Sequence, residues 1–188
     1  DAMFRRLGIA RTFTVTEFLE TLKFLSTIGP LPNRTIGSMS CSGGEASLIA
    51  DYADSAGLDM PRLSKHSAVG LAEILGPKVT LSNPLDYHTY AWGDYDALNA
   101  CFSTMLANAF GCTMLVIDYP PHENADTSNW ELAERALVDA AASTAQKAVV
   151  VSTLPETMPE AARTRLKSAG IPPMQGLDEC LNAISAAA

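Results

Sequence analysis

The sequence predicts an α/β domain built on a mainly parallel sheet, and three observations carry that prediction. From Thr35 onward, short apolar segments alternate with longer stretches of helical periodicity, the signature of βαβ units. Two of the short segments, 113–119 and 148–153, are apolar almost throughout, as strands must be when helices cover both faces of a sheet. Hydrophobic residues make up 47% of the 188 residues, enough to bury one sizeable core.

The elements follow in order. Thr14-Val15-Thr16-Glu17 has capping-box spacing, and Phe18, Leu19, Leu22 and Leu25 recur at helical intervals until Gly29-Pro30 stops them. This is an amphipathic lead-in helix, and residues 29–34 after it read as a linker. The alternation then predicts strand 35–40, helix 43–56, a short strand near 60–63, helix 67–75 and an extended piece over 79–86. Helix 93–109, strand 113–119, helix 128–145, strand 147–153, helix 157–169, strand 171–174 and helix 176–187 complete the series. Pro172 and Pro173 would remove ladder donors from a central strand, so the last strand belongs near an edge. Trp130, Leu132, Ala136 and Leu137 read as core, and Glu156, Glu160, Arg163, Arg165 and Lys167 as a solvated helix face. The Ala-rich tail 183–188 reads as a fraying helix end. Together the elements describe a three-layer domain of the flavodoxin-like or Rossmann-like kind.

Composition narrows the function. A net charge of −8 and a pI near 4.8 oppose binding to polyphosphate backbones, which draws on clustered Lys and Arg, so no nucleic-acid partner is expected. Apolar runs such as Met114-Leu115-Val116-Ile117 fall far short of the roughly 18 residues a membrane span needs. No basic-then-apolar leader opens the sequence, and a cytoplasmic protein, neither membrane-bound nor secreted, is expected. Cys41, Cys101, Cys112 and Cys180 lack C-x-x-C spacing, so they read as reduced thiols and no metal site is expected. The sequence starts at Asp1 inside what reads as a helix, Ala2-Met3-Phe4-Arg5-Arg6-Leu7, as a piece of a longer polypeptide would.

Ligands of open α/β sheets bind beyond the carboxyl ends of the strands, which directs attention to three loops. The first is Ser40-Cys41-Ser42-Gly43-Gly44-Glu45. Its glycines let a backbone approach a ligand closely, and the helix after it points free N–H groups at an anion. The same residues also read as a plain capping box, Ser42-x-x-Glu45, and the Glu45 carboxylate would repel a phosphate. Cys41 reads as a nucleophile or as a small buried residue, with no partner base nearby in sequence. The second loop, from Asn83 to Asp94, gathers Asp86, His88 and Asp94 among aromatic residues, with His88 as the titratable candidate and packing of a satellite core as the plain reading. The third, Asp118-Tyr119-Pro120-Pro121-His122-Glu123-Asn124, reads either as a solvated loop or as one whose backbone and His122 close over a ligand held by the first. His66, beside Lys65, reads as surface. No G-x-G-x-x-G, G-x-x-x-x-G-K-[ST] or G-x-S-x-G motif occurs, so nicotinamide, P-loop and serine-hydrolase chemistry lack their markers.

Four motifs in sequence order resemble the CoA-ligase domain of the succinyl-CoA synthetase superfamily, and most closely the NDP-forming acyl-CoA synthetases. They are Ile36-Gly37-Ser38-Met39-Ser40-Cys41-Ser42-Gly43-Gly44, then Ala50-Asp51 with Ala56-Gly57-Leu58, then Asn83-Pro84-Leu85-Asp86, and finally Ala169-Gly170-Ile171-Pro172. The likeness runs over 35–187, and it divides the chain into a lead-in helix and linker, 1–34, following a CoA-binding domain, and a CoA-ligase domain, 35–188. It implies a large enzyme in which a small carboxylic acid, CoA and ATP or GTP with Mg2+ give an acyl-CoA, a nucleoside diphosphate and phosphate, through an acyl phosphate and a phosphohistidine. CoA-binding and ATP-grasp domains of the same polypeptide or of a partner subunit would complete it, with a homodimer among the assemblies left open, and the domain alone would be inactive.

The resemblance also implies roles for residues. Cys41, Ser42, Gly43 and Gly44 carry over as substrate- or phosphate-binding, as do Thr89 and Tyr90 and the third-loop residues Pro121, His122 and Glu123, with Asn83 and Asp86 in support. His88 carries over as the catalytic candidate. Archaeal acetyl-CoA synthetases of this type place the phosphorylated histidine shortly after the Asn-Pro hallmark, where this sequence has Tyr95. His88 is then a displaced candidate, or the phosphohistidine lies on another domain, or the ligase reaction has been lost. In the last case the chain resembles an acyl-CoA-sensing regulatory module of a protein acetyltransferase.

Overall fold

The computed structural model describes residues 2–122 and 124–188. Its middle layer is a five-stranded sheet of β1 (Ile36–Ser40), β2 (Leu85–Asp86), β3 (Cys112–Val116), β4 (Ala148–Ser152) and β5 (Pro173–Gln175). All four pairings are parallel, and the spatial order is β2-β1-β3-β4-β5, the flavodoxin-like order. The helices are α1 (Ala2–Arg6), α2 (Val15–Ile28), α3 (Gly43–Ser55), α4 (Lys65–Leu75), α5 (Tyr95–Leu106), α6 (Ser128–Thr144), α7 (Glu160–Ser168) and α8 (Leu177–Ala187). None of the described helices is long and apolar enough to cross a membrane.

Alternation along the strands divides the core in two. Met39, Leu85, Leu115 and Val150 face Leu71, Phe102, Leu137 and Leu166 of α4 to α7. Ile36, Met114, Val116, Val149 and Val151 face Phe24, Ile49, Leu181 and Ile184 of α2, α3 and α8. Each such side chain contributes roughly 1.5–3 kcal/mol on burial, so both faces are needed to hold the strands in register. β1 follows this plan with a local exception. A Cβ on Gly37 would stand 2.5 Å from a ring carbon of Phe110, so only glycine leaves that ring its place.

The edge position expected for the last strand holds, with β5 paired on one side only. Its open side is closed by α2. Glu20 accepts a hydrogen bond from the Gln175 N–H at 2.9 Å, and Lys23, 2.6 Å from Glu20, donates to the Pro173 carbonyl at 2.7 Å. An edge strand whose free backbone groups are taken this way presents no template to another chain. Thr14 caps α2, accepting from the Glu17 N–H at 3.1 Å, and Phe24 is fully buried, so the lead-in helix packs as part of the second helical layer.

Three expectations are corrected. No strand forms at 60–63. The chain there makes a single parallel bridge, Thr35 to Asp59, and Pro61 has no N–H to extend it. The Ala-rich tail does not fray, since Ala183, Ile184 and Ala187 are buried against α2 and α3 and the Leu31 N–H donates to the Ala187 carbonyl at 2.7 Å. Arg165 is more than part of a solvated face. Its Nε and Nη2 donate to the buried Glu134 carboxylate at 2.8 and 2.9 Å, and Glu134 also accepts from the Tyr119 hydroxyl at 2.6 Å.

Candidate functional site

In this strand order the chain runs from β1 outward to β2 and then returns past β1 to β3. The helix after β1, α3, packs on one face and the helix after β3, α6, on the other. In sheets of this kind the loops part at such a switch point, and ligands bind in the crevice between them. The turn after β1, the segment after β2 and the loop after β3, the three loops singled out in the sequence, stand at the carboxyl ends of the strands there. Two hollows lie elsewhere, one of about 850 Å3 between the lead-in segment and the end of α8, and one of about 460 Å3 between α6 and α7.

The turn after β1 is a helix cap with unusual contents. Ser40 Oγ donates to the Ser42 carbonyl at 3.0 Å, and Ser42 Oγ accepts from the Glu45 N–H at 3.5 Å. Gly43 and Gly44 are exposed and open α3, leaving their N–H groups free of helical partners. Glu45 does not complete a reciprocal capping box, because its Oε2 is buried without a hydrogen-bond partner. Burial first, then the charges of Asp118 and Asp86, push its carboxyl up to about 7. Cys41 is half-buried, and burial together with Glu45 pushes its thiol up to about 11, so it is a protonated thiol at neutral pH. That favours its reading as a small packed residue over that of a nucleophile.

Asn83 explains why the second motif sits where it does. β2 pairs with β1 only at Met39–Leu85 and Ser40–Asp86, which leaves the lower half of that β1 edge without a strand. The Asn83 side chain stands in for one. Its Oδ1 accepts from the Ser38 N–H at 3.1 Å, and its Nδ2 donates to the carbonyls of Ile36 at 2.8 Å and Pro61 at 3.0 Å. Asp86 then reaches the first loop, with its Oδ2 3.3 Å from where a Gly43 Cβ would lie. Its Oδ1 accepts from the His88 N–H at 2.9 Å, and its Oδ2 is 3.8 Å from His88 Nδ1. His88 has φ +56°, ψ 173°, a conformation costly for any residue but glycine, held by that contact with Asp86.

The helix expected to open at 93 begins at Tyr95. Thr89 and Tyr90 stand before it on a single 3-10 turn, exposed, with the Tyr90 ring 5.5 Å from that of His88. Asp94 caps α5 by accepting from the Ala97 N–H at 3.0 Å, which fills with a carboxylate the place an anion would take. Tyr95 turns away from the crevice: its hydroxyl donates to Asp139 at 2.6 Å on α6, and Arg135 lies over its ring.

On the third loop Pro121 and His122 are exposed, the His122 carbonyl accepts from the Ala125 N–H at 3.0 Å, and Glu123 lies outside the described residues. The residue of this loop that the sequence reading passed over is Asp118. Its carboxylate accepts from the Thr153 N–H at 2.8 Å and from the hydroxyls of Thr153 and Thr157, while its carbonyl accepts from Trp130 Nε1 at 2.6 Å. Asp118 thus ties the β3 loop to the β4 loop and to α6. Its signal was an aspartate directly after the most apolar strand, at a position where solvation alone would not call for one. Cys41, Glu45, Asp86 and Asp118 are close enough to act on one another's charge, and His88 joins them through Asp86. Among the described residues, no group of three or more His, Cys, Asp or Glu is arranged to hold a metal ion.

The β1–β3 crevice of a flavodoxin-like domain, walled by a serine-glycine turn and an Asn-Pro-x-Asp segment, defines the class of domain to which this chain is to be compared. No protein-family model matches it. Over 86 residues, 46% of this chain, it is 30% identical to the ADP-forming acetate–CoA ligase of Methanocaldococcus jannaschii; the match spans 12% of that protein's length. Its fold matches PH0766 from Pyrococcus horikoshii with a TM-score of 0.80 and 19% identity, over 98% of this chain and 42% of that one. It also matches the dinucleotide-forming acetyl-coenzyme A synthetase 1 of Ca. Korarchaeum cryptofilum in complex with phosphate and ADP, with a TM-score of 0.78 and 16% identity, over 98% of this chain and 39% of that one. Over less than half of its length the chain is thus related to an ADP-forming acetate–CoA ligase, and it has the fold of a segment of two longer chains, of which it spans about two fifths.

Proposed function

We propose that this chain is the CoA-ligase domain of an NDP-forming acyl-CoA synthetase, which joins a small carboxylic acid to CoA using ATP or GTP. The reading rests above all on one observation. The two motif-bearing segments, 40–45 and 83–90, meet at the switch point of the sheet, through Asp86 and Gly43, in a chain related to an acetate–CoA ligase. The free N–H groups of Gly43 and Gly44 at the start of α3 suit an acyl-phosphate or phosphoryl oxygen, because fixed backbone dipoles stabilise charge spread over several oxygens without rearranging. His88, held against Asp86, is the candidate for the phosphorylated or phosphate-contacting imidazole, with Thr89 and Tyr90 beside it. Pro121 and His122 form the outer rim from the β3 side.

CoA and the Mg2+-bound nucleotide are assigned to CoA-binding and ATP-grasp domains outside this chain, which by itself would carry no turnover. The curated relative is a ligase, which supports this reading over an acyl-CoA sensor. The test is a turnover assay on the complete polypeptide, with any partner subunit, supplied with short-chain acids, CoA and ATP or GTP. Acid- and CoA-dependent release of nucleoside diphosphate and phosphate is the expected result. Release of AMP and pyrophosphate, or acyl-CoA binding without turnover, would overturn it.

A further inference from the structure

Among the described residues, fourteen large apolar side chains are exposed, and nine of them lie between Met3 and Leu22. On α2 they fall at Val15, Phe18, Leu19 and Leu22, the spacing that lines one face of a helix. That face is opposite the one α2 turns to the domain, where Glu20, Thr21 and Phe24 are buried and Glu20 and Lys23 close the edge of β5. α2 is therefore apolar on both sides, and this chain covers only one of them. A surface helix ordinarily keeps its outer face polar, so the fold of this chain alone does not account for the stripe.

The arm before α2 adds to it. Met3, Phe4, Leu7, Ile9 and Phe13 are exposed, and the Leu7 and Ile9 N–H groups donate within the arm, to the Met3 carbonyl at 3.0 Å and the Phe4 carbonyl at 2.9 Å. Phe4, Ile9 and Phe13 also line the hollow of about 850 Å3, together with Leu25 of α2 and Leu31. The exposed surface of the nine side chains is on the order of 1,000 Å2, taking roughly 200 Å2 for each whole one. That exceeds the largest apolar patch of a typical monomer, about 300–600 Å2, and matches the roughly 800 Å2 that one partner brings to a standard interface.

Charge and chain length indicate the occupant. Arg6 and Arg11 are exposed on the arm, with Arg11 over the Phe13 ring at 4.7 Å, in a chain of net charge −8. A two-fold contact with a second copy would set this basic patch against itself, whereas apolar side chains ringed by Asp and Glu complement it. The fold of this chain, α2 included, recurs over 98% of its length as only 42% and 39% of two longer chains. In those proteins most of the polypeptide is therefore joined to this unit from outside it. A domain tethered in this way meets its neighbour at high effective concentration, so a surface of this size is enough to hold it.

We propose that the outer face of α2 and the arm before it seat another domain of the same polypeptide, which lays apolar side chains ringed by Asp and Glu against Phe13, Val15, Phe18, Leu19 and Leu22. This rests on the reading of the chain as one domain of a longer synthetase, and it names the face that meets the neighbour. α2 then stands between two surfaces, holding β5 with one side and the second domain with the other, so that one helix fixes the sheet relative to that domain.

The test compares this chain, which buries two cores of its own, with the complete polypeptide. Leu19→Cys and Leu22→Cys are made in each, and their rates of reaction with a maleimide are measured over the background of the native cysteines, which are buried or half-buried. In this chain both should react as exposed thiols at every protein concentration, and in the complete polypeptide at least tenfold more slowly. Val15→Glu with Phe18→Glu, added to the complete polypeptide, should return the Leu22→Cys rate to that of this chain, and in this chain alone the same pair should leave the melting temperature unchanged. Equal rates in chain and polypeptide, slowing in this chain as its concentration rises, which marks a second copy as the occupant, or protection that survives the paired glutamates would each overturn the proposal. Labelling needs no turnover, so protection in a polypeptide without ligase activity would retire the ligase reading and leave the interface standing.

Discussion

Replacing Asn83 by alanine should cost far more than one surface amide normally does. The side chain makes three hydrogen bonds, to the Ser38 N–H and to the carbonyls of Ile36 and Pro61, and Ile36 and Ser38 are fully buried. Each bond contributes about 1 kcal/mol net, and leaving a buried donor such as the Ser38 N–H unpaired adds a desolvation cost of about 1–3 kcal/mol. The expected loss is therefore roughly 4–6 kcal/mol, which for a domain of this size lowers the melting temperature by roughly 10–20 °C. Asn83→Asp keeps the acceptor for Ser38 but sets a carboxylate oxygen against two carbonyls, so it should be at least as damaging at neutral pH and partly relieved when protonated. Urea unfolding followed by circular dichroism measures both variants. A loss below about 1 kcal/mol in Asn83→Ala, the size of a single ordinary hydrogen bond, would refute the reasoning that this side chain replaces a strand on the β1 edge.

Other consequences are equally direct. Arg165→Ala leaves Glu134 buried without its bidentate partner and should destabilise by about 3 kcal/mol, the low end for a broken buried pair because the arginine is half exposed; calorimetry reads this, and a loss under 1 kcal/mol would contradict it. Gly37→Ala should cost about 1–3 kcal/mol through its clash with Phe110, and Phe110→Leu in the same chain should recover part of that loss; absence of any recovery would place the cost elsewhere. Glu45 binds its proton more tightly in the folded state, with its carboxyl raised from 4.5 to about 7. Its contribution to stability is thus fully present below the unfolded value and is lost as pH rises through the folded one. Glu45→Gln should therefore gain on the wild type across that window and lead above it by on the order of 1–2 kcal/mol, solvent screening of a half-buried group having been allowed for, whereas parallel stability–pH curves would rule this out.

How much of this could be read in advance depended on the kind of signal each residue gives. The interior strands announced themselves because both faces of β3 and β4 are covered, which demands unbroken apolar runs, and Pro172-Pro173 placed β5 at the edge because proline cannot donate to a ladder. Segment 60–63 misled because its apolar residues Met60 and Leu63 are drawn to the two opposite cores of the sheet, while the backbone pairs only at Asp59. The alanine tail looked idle because alanine carries no periodic signal of its own, yet small side chains are what allow α8 to lie close on α2. At the site, Asn83 and Asp86 were marked by their motif, but what Asn83 does required knowing that β2 is only two residues long. Asp118 was hidden for a different reason. Its importance lies in partners distant in the chain, Thr153 and Thr157, and no local spacing encodes that.

The central claim is that the crevice between β1 and β3 belongs to an enzyme that passes a phosphoryl group through the protein. Its most direct test is incubation of the complete polypeptide, with any partner subunit, with ATP labelled at the terminal phosphate, followed by assay for acid-labile, base-stable phosphate on the protein. The account predicts such labelling, its discharge by acid and CoA together, and loss of label in His88→Ala but not in His122→Ala if His88 is the acceptor; label retained in both assigns the phosphohistidine to another domain. Absence of labelling under every condition would contradict it and return the chain to the class of acyl-CoA-binding regulatory modules.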